Sequence, residues 1–131
     1  MHPIEITPIY AAVIAALMAI LSTRVGLLRG KHGVALGDGG IGEMALGIRR
    51  FGNLAEYAAM AVVLMLLLEL KGLPAVWLHA YGLALVLLRL LHPLILFDDM
   101  AAPIWKKAGR FVSAAGTAAL LLAGGVALVA M

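Results

Sequence analysis

Residues 43–70 read EMALGIRRFGNLAEYAAMAVVLMLLLEL. From Ala58 onward this is a continuous run of Ala, Val, Leu and Met, interrupted only by Glu69. A helix needs roughly 20 mainly apolar residues to cross the hydrocarbon core of a bilayer, and this segment is long enough. The half before Ala58 is crowded with polar groups: Arg49, Arg50, Asn53, Glu56 and Tyr57. Ionisable side chains at membrane depth are costly, and where they persist they mark a functional site. One segment therefore sets two expectations. The chain crosses a membrane, and one end of the crossing is built for chemistry or binding.

Three more apolar runs flank this one, at residues 9–28, 75–97 and 109–131. Only helices and closed barrels can satisfy every backbone group in lipid. These runs are continuous and rich in Leu and Ala, without the two-residue alternation of a barrel strand. The expected fold is all-α: an integral membrane four-helix bundle, one domain over residues 1–131. The composition agrees. Of 131 residues, 64% are hydrophobic and 13% charged, against about 45–50% and about 25% in soluble domains. A chain this short has too much surface to hide that much apolar side chain from water. A soluble globule, a disordered chain and a nucleic-acid-binding module are excluded. There is no cysteine, so there is no disulfide framework, thiolate metal site or protein thiol nucleophile. Any thiol chemistry has to be brought by a ligand.

The connections are short, which suits an up-down bundle. The first, residues 29–42, reads RGKHGVALGDGGIG, with an Asp-Gly turn signal. The second is residues 71–74, with Pro74 placed to open the third helix. The third, residues 98–107, reads DDMAAPIWKK. The N-terminus lacks the basic stretch of a signal peptide, so the first helix is expected to be retained. Arg24, Arg29, Lys31, Arg49, Arg50, Lys106, Lys107 and Arg110 gather in or near connections one and three, and only Lys71 lies on the opposite side. Cytoplasmic loops carry the excess of Lys and Arg. Connections one and three are thus expected in the cytoplasm and both termini outside. The +3 net charge is partly this topology signal.

The charges inside the spans fall on shared faces. Arg49, Asn53 and Glu56 are spaced i, i+4, i+7 on one face of the second helix, with Tyr57 on its flank. Arg89 and His92 are spaced i, i+3 on the third, in a stripe with Tyr81 and Leu85. Arg110, Ser113 and Thr117 share a face of the fourth, and Arg24 on the first comes to the same depth. Turned inward, these faces form a cationic pocket with one carboxylate. That suits a ligand with several carboxylates and one amine, because the arginine fork matches a carboxylate and Glu56 takes the amine. An arginine near a thiol stabilises its thiolate. Plainer roles stand beside these. Arg49 and Glu56 can be an ion pair tying helices together, and Asn53 can be interhelical glue. Arg24 and Arg110 can snorkel to the interface. Lys106 and Lys107 fit topology-setting charges, and His92 fits a satisfied bundle histidine. Glu69 fits a structural group near the outer interface. Trp77 and Trp105 fit interfacial anchors, and Gly124–Gly125 fits close helix packing.

The stretch from Arg49 through Asn53 to Glu56-Tyr57 resembles the signature of the MAPEG family, membrane-associated proteins in eicosanoid and glutathione metabolism. The run from Arg24 through Arg29-Gly30-Lys31-His32 to Asp38-Gly39-Gly40 is similar to the family's bacterial branch, as is Arg89-Leu90-Leu91-His92. The resemblance implies a left-handed bundle that assembles as a homotrimer, in a bacterial inner membrane. It implies glutathione as co-substrate, held between neighbouring subunits near the cytoplasmic side. Arg49, Asn53, Glu56, Tyr57, Arg89 and His92 are the implied contacts, with Arg24 supplied by the neighbour. His92 occupies the place of a tyrosine in eukaryotic members. The implied catalytic arginine, which stabilises the thiolate, is Arg110, with Lys107 as second choice. Ala58 and Ala59, Pro93 to Ile95, and Phe51 depart from residues usual in the pattern.

Two functions compete. The first is a glutathione-dependent enzyme that adds the thiolate to an apolar electrophile or reduces a lipid hydroperoxide. The second is a non-enzymatic trimeric scaffold or a bundle that binds lipid or fatty acid. A small transporter and a membrane haem protein rank behind both. The first helix carries no carboxylate between residues 9 and 28, and the two histidines within helices, His79 and His92, lie far apart on one helix.

Overall fold

The computed structural model describes residues 3–97 and 101–131. Asp98, Asp99 and Met100, which open the expected third connection, lie outside the described residues, as do Met1 and His2. Four helices follow one another: α1 Thr7–His32, α2 Gly42–Leu70, α3 Ala75–Ile95 and α4 Ile104–Ala130. Each is long and apolar enough to span a membrane. The chain is an integral membrane four-helix bundle.

α1 and α4 run further than the apolar runs alone indicate. α1 continues through Arg29, Lys31 and His32, basic residues that suit the negative end of the helix dipole. It stops where Gly33 takes the left-handed conformation, φ 65°. α4 begins just after Pro103, five residues before the apolar run, and takes in Trp105, Lys106 and Lys107. These polar ends continue the helix without continuing the apolar run. α3 passes through Pro93 and ends two residues later. Beyond Gly33, Arg29 Nη1 donates to the carbonyls of Val34, Ala35 and Gly37 at 3.1–3.3 Å. Lys31 and His32 both reach Glu43 Oε2, at 2.8 and 3.0 Å. The end of α1 is thereby tied to the start of α2.

The buried positions repeat every seven residues. In α1 they are Thr7, Ile14, Leu21 and Leu28. In α2, Gly47, Leu54, Ala61 and Leu68 make one seam and Ala58 and Met65 part of a second. In α3, Leu78, Leu85 and His92 follow one seam and Gly82 and Arg89 another. In α4, Thr117 and Gly124 are seven apart. This is the spacing of a left-handed bundle. Several of these residues are small, which lets helix backbones approach closely in lipid. The Tyr10 ring lies where a Cβ on Gly82 would stand, so Gly82 is what allows α1 to pack on α3.

At the end with the residue 71–74 turn, two side chains staple the bundle. The Glu69 carboxylate accepts from the backbone N–H groups of Glu5, Ile6 and Thr7 at 2.7–2.8 Å. Lys71 Nζ donates to the Leu128 carbonyl at 2.9 Å. An acid thus sits at the start of α1 and a base near the end of α4, each at the dipole end it suits. The structural role expected of Glu69 has a concrete form. α2 and α3 pack on each other and on both outer helices, while the α1 and α4 backbones do not come close to each other.

Candidate functional site

Arg89 lies six residues before the end of α3, about 9 Å along the axis at 1.5 Å per residue. It is 2% exposed. Its Nη2 donates to the Ser113 carbonyl at 2.9 Å and to the Thr117 hydroxyl. Thr117 in turn donates back to the Ser113 carbonyl at 2.7 Å. The guanidinium carbon lies 5.7 Å from the centre of the Tyr57 ring, a cation–π distance. Arg89 Nε has no hydrogen-bond partner among the described residues. Asn53, Tyr57, Arg89, His92, Ala114 and Thr117 line a partly open cavity of about 50 Å³. The Asn53 amide donates to the Arg49 carbonyl at 3.0 Å, within its own helix.

The other expected site residues stand outside this cavity. Arg49 Nη1 and Glu56 Oε1 are 3.6 Å apart, with side chains 62% and 55% exposed. Arg110 is exposed at the start of α4, its guanidinium carbon 5.3 Å from the centre of the Phe97 ring. Phe97, Lys107, Arg110, Phe111 and Ala114 line an open, mainly apolar groove of about 400 Å³. Ala114 borders both the cavity and the groove. Arg24 is exposed on α1, whose backbone does not come close to α4, the helix that carries Arg110.

One chain therefore brings Asn53, Tyr57, Arg89 and His92 together and leaves Arg24, Arg49, Glu56 and Arg110 on its outside. The bundle interior is too narrow for all eight. The cavity has room for a few water-sized groups, each needing at least about 10–15 Å³ of such space. A tripeptide-sized ligand can lie only along the outer face, reaching inward with one group. Arg110 parts from Ser113 and Thr117, its expected companions, which turn into the bundle. Ala114 is the site residue that sequence reasoning missed. A lone alanine on a helix carries no signal, and its place follows only from packing.

Comparison with known proteins bears on this site. The MAPEG family pattern matches residues 7–129. The inner membrane protein YecN of Escherichia coli strain K12 is 39% identical over 87 residues, covering 66% of this chain and 66% of its own length. YecN of E. coli O6:H1 strain CFT073 matches equally. The chain spans just under two thirds of the length of these curated relatives. No solved structure matches it significantly.

Proposed function

This chain belongs to the MAPEG family, whose members are known for glutathione-related functions, and on that premise we propose that it binds glutathione and presents the thiol to an apolar electrophile taken from the membrane. The observation that carries the reading is the exposed Arg49–Glu56 pair beside the cavity of Asn53, Tyr57, Arg89 and His92. The two groups are 3.6 Å apart on the outer face of one bundle, so a ligand that brings its own carboxylate and ammonium can exchange with the pair. Arg49 takes a carboxylate as a fork, and Glu56 takes the amine. Asn53 and Tyr57 position the cysteinyl portion, with Arg89 and His92 beneath it.

Arg110 and Arg89 stand on the two sides of Ala114. Both belong to the site that keeps the thiol as thiolate, with Lys107 beside Arg110 in the groove. The thiol proton leaves to solvent. The sulfur lone pair forms the new S–C bond, and the electrophile's displaced electron pair leaves with its leaving group. With a lipid hydroperoxide, the sulfur takes the terminal oxygen and the lipid leaves as its alcohol. A second glutathione then closes the disulfide and releases water. The site is completed by a second copy of the chain, which brings Arg24 to the outer face of α2. A homotrimer meets this need. Connections one and three face the cytoplasm of a bacterial inner membrane, supported by the basic excess at that end and by the location in the relative's name.

The test is calorimetric titration of the purified protein with glutathione. Binding in the range from micromolar to a few millimolar is expected, with Glu56→Gln weakening it at least ten-fold. No heat at millimolar glutathione, with Glu56→Gln indistinguishable from wild type, contradicts the reading. A second reading rests on the apolar groove with Lys107 and Arg110 at its rim, which fits a fatty acid or anionic lipid. Lipid that co-purifies and is lost in a Lys107/Arg110 double variant, without glutathione binding, favours that reading.

A further inference from the structure

Tyr81 lies toward the other end of α3, six residues from its start at Ala75, about 9 Å along the axis. α3 has 21 residues, about 31 Å of helix, close to the roughly 30 Å of the hydrocarbon core. Tyr81 is therefore inside the core, in the half that ends at the residue 71–74 turn. It is 8% exposed, and its hydroxyl has no hydrogen-bond partner among the described residues. A buried hydroxyl left unpaired is costly, and the hydrocarbon core has no water to pair it. Tyr81 lines a groove of about 330 Å³ between α3 and α4, at the lower end of the range of small-molecule pockets. Leu68 of α2, 1% exposed, makes its floor, and Trp77, Ala80 and Ala123 are exposed at its mouth. Gly124 lines it too, and a Cβ there would stand 3.0 Å from the Tyr81 hydroxyl. The missing side chain leaves the hydroxyl facing the groove. No lining residue is charged.

We infer that this groove binds an oxygenated hydrocarbon chain: an uncharged, single-chain lipid whose one carbonyl, ether or hydroxyl oxygen accepts from Tyr81. The apolar walls take the chain, and the orphan hydroxyl supplies the one donor. An ionised head finds no counter-charge there. The depth of Tyr81 puts the oxygen on the apolar body of the ligand and not in a headgroup at the surface. The other candidate cover is a second copy of the chain. Its exposed side chains near this level, Ile9 and Val13 on α1 and Leu122 and Val126 on α4, carry no acceptor. The site stands without the glutathione reading: Arg89 is eight residues further along α3, about 12 Å away.

The probes are a fifteen-carbon ketone with its carbonyl at mid-chain and the matching alkane. Each is added to the full chain in dodecyl maltoside, a detergent without a carbonyl group. Affinity is read from the saturable rise in the unfolding midpoint. Wild type is expected to bind the ketone about five-fold tighter than the alkane, the worth of one net hydrogen bond. Tyr81→Phe, which keeps the ring and removes only the unpaired hydroxyl, is expected to bind the two alike. Ala80→Phe, at the exposed mouth, weakens both. The carbonyl stretch of isotope-labelled ketone, taken as a difference spectrum, moves to lower frequency on binding wild type and stays in place with Tyr81→Phe. Equal affinities for ketone and alkane in wild type, or a ketone preference that survives Tyr81→Phe, overturn the proposal. So does capture of a second copy of the chain by a photoreactive side chain in place of Ala123 while the ketone is in excess.

Discussion

Glu69 and Arg89 are both buried charges in apolar helices, yet they do different things. Glu69 spends both oxygens on three backbone N–H groups at the start of α1. Glu69→Gln keeps one acceptor oxygen and turns the other into a donor facing donors. A loss of about 1–3 kcal/mol is expected, the cost of leaving buried donors unsatisfied. Reversible unfolding in mixed micelles checks it, and an unchanged midpoint contradicts it. Arg89 instead bonds across to the Ser113 carbonyl and the Thr117 hydroxyl of α4, and its Nε has no partner among the described residues. The spacing of Arg89 and His92 in the sequence already showed that they share one face of α3, and their burial shows that this face turns inward. The spacing of Arg49, Asn53 and Glu56 showed their shared face as well. It did not show that Asn53 turns in while its neighbours stay out, because that depends on how far α2 is rotated against α3 and α4. The Glu69 contact was out of reach too, since its partners lie more than 60 residues away in the chain.

At the scale of the helix, the seven-residue seams explain why small residues sit where they do. Gly82 is buried in α3, and an added Cβ overlaps the Tyr10 ring. Gly82→Leu therefore has to push α1 off α3. Overpacking of this kind costs about 1–3 kcal/mol, and Tyr10→Ala in the same chain is expected to restore much of it. Thermal unfolding of the single and double variants checks the coupling, and equal losses with no recovery contradict it. Gly125, one residue from the buried Gly124, has nothing within 4 Å of an added Cβ. Gly125→Ala is expected to leave the midpoint unchanged, while Gly124→Ala, which presses on the Tyr81 ring and hydroxyl at about 3.0 Å, lowers it. The paired glycines read alike in sequence and differ only in their seam position. The number and order of helices followed from hydropathy alone. Their ends did not, because α1 and α4 extend with charged and aromatic residues that hydropathy scores as loop.

Across the whole molecule, the surface of 7515 Å² exceeds the roughly 6,600 Å² expected for a soluble monomer of this mass. Ile20, Leu27, Phe111, Leu122 and Val129 are all exposed, facing lipid or another copy. The expected polar pocket is split between the inside of one bundle and its outer face, with Arg24 and Arg110 on helices whose backbones do not come close. A site that needs all of them needs more than one copy. Native mass spectrometry from micelles is expected to give a trimer, and a monomer at binding-competent concentrations contradicts that assembly. The account as a whole stands on where glutathione sits. The most direct measurement is an experimental structure of the purified protein at millimolar glutathione. The account predicts a glutathione-shaped density between two copies, against Arg49, Glu56 and Tyr57 of one and Arg24 of the next, with its sulfur between Arg89 and Arg110. A lipid chain across the same face, or no ordered ligand there at that concentration, contradicts it.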